Sequence, residues 1–99
     1  MASFAAQEST LVANTAQYFY FKKELGGFGA QSLVYMNDSA NIHTLQLDNG
    51  SVFTVVGGKQ RVVTGLSEST VLKIGGNAAS QGDYRLAASS ELEPPIIEL

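Results

Sequence analysis

Apolar and polar residues alternate along most of this 99-residue chain in short runs, and turn formers separate the runs. Alternation with a period of two puts apolar side chains on one side of an extended strand, whereas a helix needs them three or four apart. The runs recur every ~8 to 12 residues, the spacing of an all-β domain. They predict strands over residues 9–13, 17–22, 31–36, 41–47, 51–56, 60–66, 70–74 and 83–87. Between them stand "ELGGFGA", "MNDSAN", "DNG", "GGK", "LSES" and "GGNAASQGD", segments rich in residues that favour turns. Helical signals are confined to Ser3–Glu8 and to one turn over Asn77–Ser80. The fold expected is all-β: a single antiparallel β-sandwich or jelly roll of about eight strands, with a closed barrel as the alternative. The domain covers residues 1–90, and an extended C-terminal arm covers 91–99.

The clearest local feature is "NIHTLQLDNGSVFTVV". A three-residue loop of Asp48, Asn49 and Gly50, with Gly50 left-handed, pairs Leu47 with Ser51, Leu45 with Phe53 and His43 with Val55. Thr44 then meets Thr54, and Ile42 meets Val56. A two-residue Asn–Gly turn would pair Leu45 with Thr54 instead, so the first register matches like with like. The following "GGKQRVVTGLSESTVLKIGG" reads as a second pair of strands joined by the polar "SES".

The run "QYFYF", Gln17–Phe21, holds four of the nine aromatic residues. On a strand, Phe19 and Phe21 share one side, and Tyr18 and Tyr20 share the other. Either both sides are buried, or the tyrosines meet a partner. Tyrosine suits the second role, having a rigid apolar body and a polar tip. Tyr35, on the strand placed at 31–36, is expected to extend the same patch.

Composition favours the partner reading. Only 15% of residues are charged, against ~25% in a usual soluble domain, so part of the surface is expected to be covered. The net charge of −3 is uneven. Residues 1–90 carry six acids and six bases, and the excess is Glu91, Glu93 and Glu98. With no basic patch, nucleic acid is not an expected partner. No apolar run approaches the ~20 residues that span a bilayer, and "MASFAAQESTLVANTA" does not read as a secretory signal, so no membrane association is expected either. The arm "SSELEPPIIEL" ends in Ile96, Ile97 and Leu99 after Pro94 and Pro95. Prolines favour an extended polyproline II path, and the apolar end is expected to dock on its own domain or, the favoured reading, on a neighbouring subunit. A free end is the alternative.

Chemistry has little to work with. There is no cysteine, which removes thiolate catalysis and most structural zinc sites from these residues. The one histidine, His43, reads as a structural side chain at a sheet margin, with no nucleophile beside it in sequence. The loop Asn37–Asn41 lacks the acids of a calcium site. The Gly–Gly pairs lack the rest of a phosphate loop. No catalytic residue, metal or cofactor is expected, and the chain does not read as an enzyme. The second function weighed is a carbohydrate- or ligand-binding module, using Tyr18, Tyr20 and Tyr84 as platforms with Asn37, Asp38 and Asn41.

The run "TLQLDNGSVFTVVGGKQRVVTGLSESTVLKIGG", followed by "SQGDYRLAAS", resembles the strand segments of small virion proteins of tailed bacteriophages, of the head-decoration, cement or tail accessory type. The likeness covers about half the chain: a strand, a "GG" turn, a strand ending in "TGL", a polar turn and a final "GDYRL" strand. It implies a minor structural subunit of a virion, made in the host cytoplasm. The implied partners are copies of itself, as a trimer or other ring-like homo-oligomer, and a major capsid or tail protein. Tyr18, Tyr20, Tyr35, Pro94, Pro95, Ile96, Ile97 and Leu99 are the residues expected at its interfaces.

Overall fold

The computed structural model describes residues 4–48, 50, 52–66 and 69–91. Eight strands and one short helix follow in the order β1 (Phe4–Leu11), β2 (Ala16–Tyr20), α1 (Phe21–Glu24), β3 (Ser32–Asn37), β4 (His43–Leu47), β5 (Val52–Val55), β6 (Gln60–Val63), β7 (Val71–Gly75) and β8 (Gly82–Ser89). They form two four-stranded sheets, ordered β1-β8-β3-β6 and β2-β7-β4-β5. All pairings are antiparallel. This order is that of a jelly roll, two interleaved Greek keys folded into a sandwich. The sheets stay separate, so the barrel alternative does not apply.

The core lies between the sheets. Leu33, Tyr35, Tyr84, Leu86 and Ala88 face inward from the first sheet, and Phe19, Leu45, Val55, Leu72 and Ile74 from the second. The "DNG" hairpin has the expected register, with His43 opposite Val55, Thr44 opposite Thr54 and Leu45 opposite Phe53. Its left-handed residue, however, is Asp48 (φ 50°), and Gly50 is not in that region. Aspartate is among the few side chains that tolerate the conformation, and here its carboxylate accepts from Thr70 N, Thr70 Oγ1 and Val71 N. The expected Leu47–Ser51 pair involves Ser51, outside the described residues.

Neither weak helical signal becomes a helix, and one expected pairing fails. Phe4–Leu11, which overlaps the first signal, is a strand paired along its whole length with β8, a tertiary ladder overriding weak local preference. Asn77–Ser80 is a bend, closed by Ser80 N donating to Asn77 Oδ1. And β6 and β7 are not partners: β6 pairs with β3, while β7 sits between β2 and β4. Between them, Leu66 N donates to Gln31 O and Ala30 bridges Ser69.

The second predicted strand stops early, at Tyr20, because α1 begins there. A one-turn helix keeps Phe21 and Leu25 on one side, and both are buried. Gly26 (φ 69°) and Gly27 then close the turn, with Gly27 N donating to Lys22 O, the Schellman arrangement that glycine permits. Of the expected arm, only Glu91 lies within the described residues; Pro94, Pro95, Ile96, Ile97 and Leu99 lie outside them.

Candidate functional site

Polar groups in the core come first, because a buried histidine beside a hydroxyl is what a catalytic site would need. His43, on β4, is fully buried. Its Nδ1 lies 2.8 Å from the hydroxyl of Tyr35 on the opposite sheet. Its Nε2 lies 2.8 Å from Gln81 O and 3.0 Å from Ser39 Oγ. A carbonyl can only accept, so Nε2 carries the proton and Nδ1 accepts from Tyr35. Ser39 Oγ donates instead to Asn37 Oδ1, 2.6 Å away. No free base faces the serine, and the geometry does not make it a nucleophile. Burial, with the charges of Tyr84 and Asp38, pushes the Tyr35 phenol well above its ordinary range, which keeps it the donor.

Asn37, also fully buried, organises the adjoining loop. Its Oδ1 accepts from Ser39 N and Ser39 Oγ, and its Nδ2 donates to Asn41 O and Val55 O. Tyr84, opposite Asn37 on the neighbouring strand, reaches β1 and β2: Gln7 donates to its hydroxyl, which donates to Gln17 on β2. Burial raises the Tyr84 phenol, and hydrogen bonds from Gln7 and Ser9 act against that. Tyr35 and Tyr84 stack with centroids 5.2 Å apart. Among the described residues every buried side-chain nitrogen and oxygen has a partner. These groups brace one sheet against the other.

The expected partner residues divide. Tyr18 and Tyr20 lie on the outer face of the second sheet, 51% and 55% exposed, with ring centroids 6.3 Å apart. Phe19 and Phe21 turn inward and meet edge-on. Tyr35 does not join the patch: it is 0% exposed. "SLVYMN" is apolar on both sides of its strand, so alternation there gave no sign of which side faces the core. The carbohydrate reading loses its geometry too, since Tyr84 and Asn37 are buried and lie on the other sheet from Tyr18 and Tyr20.

Sequence reading missed the extent of the tyrosine face. Tyr18 sits opposite Lys73, Lys73 opposite Gln46, and Gln46 opposite Val52, so one row crosses all four strands. Tyr20 and Val71 lie beside it, and Ile42, Thr44, Thr54 and Val56 continue it by alternation. Of nine exposed large hydrophobic residues among those described, Tyr18, Tyr20, Ile42, Val52 and Val56 are on this face. Lys73 is the one charge that its strands point outward. A shallow hollow of about 190 Å³ lies between Thr44, Gln46, Val52, Lys73 and Asn77. The signal was present in the alternation of each strand, but which strands adjoin was not.

The first sheet carries the opposite chemistry at one end. Glu8, Asp38, Asp83 and Arg85 surround an open hollow of about 430 Å³. Asp38 and Arg85 form a bidentate pair at 2.7 and 2.8 Å, and the hydrogen bond from Arg85 holds the Asp38 carboxyl below its ordinary range. No cluster of three or more His, Asp or Glu side chains able to hold a metal occurs among the described residues. Nor is any helix among them long and apolar enough to cross a membrane.

No protein-family model matches the chain. No curated protein matches it in sequence. A solved chain of Bacillus endospore appendages, described as a novel family of disulfide-linked pili, has a similar structure. The TM-score is 0.57 at 16% identity, over 94% of this chain and 88% of that one. At that identity the likeness is one of fold.

Proposed function

We propose that the protein is a non-enzymatic structural subunit that assembles with copies of itself, burying the outer face of the second sheet against a neighbour. The observation that carries this is the make-up of that face: stacked, half-exposed Tyr18 and Tyr20 together with Ile42, Val52 and Val56, against the single charge of Lys73. Apolar area with aromatic anchors and few charges is the composition of an interface centre. Charge argues for a second copy as the occupant. Residues 1–90 are neutral, so the body of one copy sets up no strong field against that of another and none that recruits a partner of opposite charge.

The fold likeness to a pilus protein supports a subunit of an ordered assembly, and the sequence resemblance to decoration, cement and tail-associated proteins supports a virion as its setting. A jelly roll alone decides neither, since one fold serves many functions. The pili of the neighbour are described as disulfide-linked; these 99 residues hold no cysteine, so copies joined through them are held non-covalently. Light scattering after size exclusion tests the reading. The expected result is a mass several times that of the protomer, rising with concentration. A monodisperse monomer at high concentration overturns it.

A further inference from the structure

We infer that the tyrosine face of one copy docks on the charged end of the first sheet of the next copy, with Lys73 entering the hollow beside Glu8 and Asp83. This rests on the self-assembly proposed above and names the surface that the face meets. The face itself sets the requirement. Lys73 stands on β7, an inner strand between β2 and β4, so its ammonium lies within the covered area and not at its rim. The hollow beside it is lined by Thr44, Gln46 and Asn77 among others, and by no carboxylate. Asn77 donates to the Thr44 hydroxyl at 2.9 Å, which leaves that hydroxyl its own proton to give. An ammonium taken out of water is costly unless a carboxylate pairs with it. A second tyrosine face cannot provide one, because Lys73 is the only charge among its outward side chains.

The other side of the sandwich does provide one. Glu8 and Asp83 point outward from the paired strands β1 and β8, where Glu8 is opposite Arg85 and Thr10 opposite Asp83. With Asp38 they set three carboxylates around an open hollow of about 430 Å³, against one guanidinium, that of Arg85. Asp38 holds Arg85 in the bidentate pair, so Glu8 and Asp83 are the excess. Elsewhere, the Asp48 carboxylate already accepts from Thr70 and Val71, and Glu24 follows Lys22 and Lys23 on α1. The body is neutral in sum, yet its unpaired positive and negative groups lie on opposite outer faces.

Two different patches then meet, so the contact is heterologous. Each copy offers its tyrosine face to one neighbour and its acidic hollow to another. The two faces are back to back, so copies stack in one direction. The product is an open filament, or a ring where the rotation per step closes it, and not a two-fold dimer. The tyrosines and Val52 supply the apolar area, and the Lys73–carboxylate contact fixes which surface is chosen and in what register.

Sedimentation velocity on two variants tests it. K73E spoils the tyrosine face and keeps the hollow; E8Q/D83N spoils the hollow and keeps the face. Each alone is expected to assemble at least ~10-fold more weakly than the parent. Mixed in equal amounts, they should form a pair and stop there, because one intact hollow meets one intact face. If E8Q/D83N assembles as the parent does, or the mixture forms no pair, the inference is overturned while self-assembly stands. A parent that stays monomeric overturns both. The parent gives a second reading that needs no substitution. Raising sodium chloride from about 50 mM to about 500 mM should lower its assembled mass, because salt screens the pairing. A mass that holds or rises with salt also overturns the inference.

Discussion

Tyr35 and His43 meet across the core with one hydrogen bond linking the two sheets. Removing the hydroxyl leaves Nδ1 of a fully buried imidazole without a donor. Tyr35→Phe is therefore expected to destabilise the fold by about 1–3 kcal/mol, measured by urea unfolding, although the ring itself still fits. Asp48 acts at the surface by another route. Burial pushes its carboxyl up, but the donors from Thr70 and Val71 outweigh that and hold it below its ordinary range. As pH falls, the unfolded chain protonates Asp48 first, near pH ~4, while the folded carboxylate resists. The stabilisation is thus complete above that pH and is lost as pH falls through the lower, folded value. The Asp38–Arg85 pair works in the same direction, screened by solvent. Thermal melts from pH 6 to pH 2 are expected to fall in acid, and less steeply for Asp48→Asn, whose amide oxygen can still accept.

Among the elements, the loop between β3 and β4 is fixed by glycines from two other places in the chain. A Cβ on Gly82 (φ 100°) would lie 2.4 Å from Ser39 Cβ, and one on Gly57 would lie 2.7 Å from Ser39 O. Neither neighbour is the free end of a flexible side chain. Ser39 in turn bonds Asn37 and faces His43, so displacing it disturbs the sheet-bridging network. Gly82→Ala combines a strained φ with that clash and is expected to cost about 3 kcal/mol or more, seen as a lower urea midpoint with unchanged slope. Gly58→Ala is the control. It also has a positive φ, 76°, but nothing lies near its Cβ, so the backbone penalty acts alone and the loss should be smaller. At the open side of the sandwich, Arg61 on β6 sits 5.0 Å from the Phe53 ring centroid on β5, a cation–π contact that joins the edges of the two sheets.

For the whole molecule, the two outer faces have different characters. The face of the second sheet is broad, charge-poor and aromatic at one edge; that of the first is small-sided, buried at its centre and charged at one end. Self-association through the former predicts that the double variant Y18S/Y20S weakens assembly at least ~10-fold while leaving the unfolding free energy of the dilute protomer within about 1 kcal/mol. Sedimentation read against thermal melting separates the two effects. Without cysteine in these residues, dithiothreitol should leave the assembled mass unchanged.

Most of the strand content, the register of the "DNG" hairpin and the division of Tyr18, Phe19 and Tyr20 between the two sides of their strand follow from the sequence, because period-two alternation and a short loop are local rules; Phe21 turns inward as the first residue of α1 instead. Tyr35 did not follow, because its strand is apolar on both sides and nothing local separates core from surface there. The strandedness of Phe4–Leu11, the parting of β6 from β7 and the row from Tyr18 to Val52 were decided by tertiary structure. Each depends on which strands become neighbours, and main-chain hydrogen bonds between strands carry no record of sequence distance. So does the role of Ser39, whose neighbours Gly57 and Gly82 reach it only when both sheets are closed.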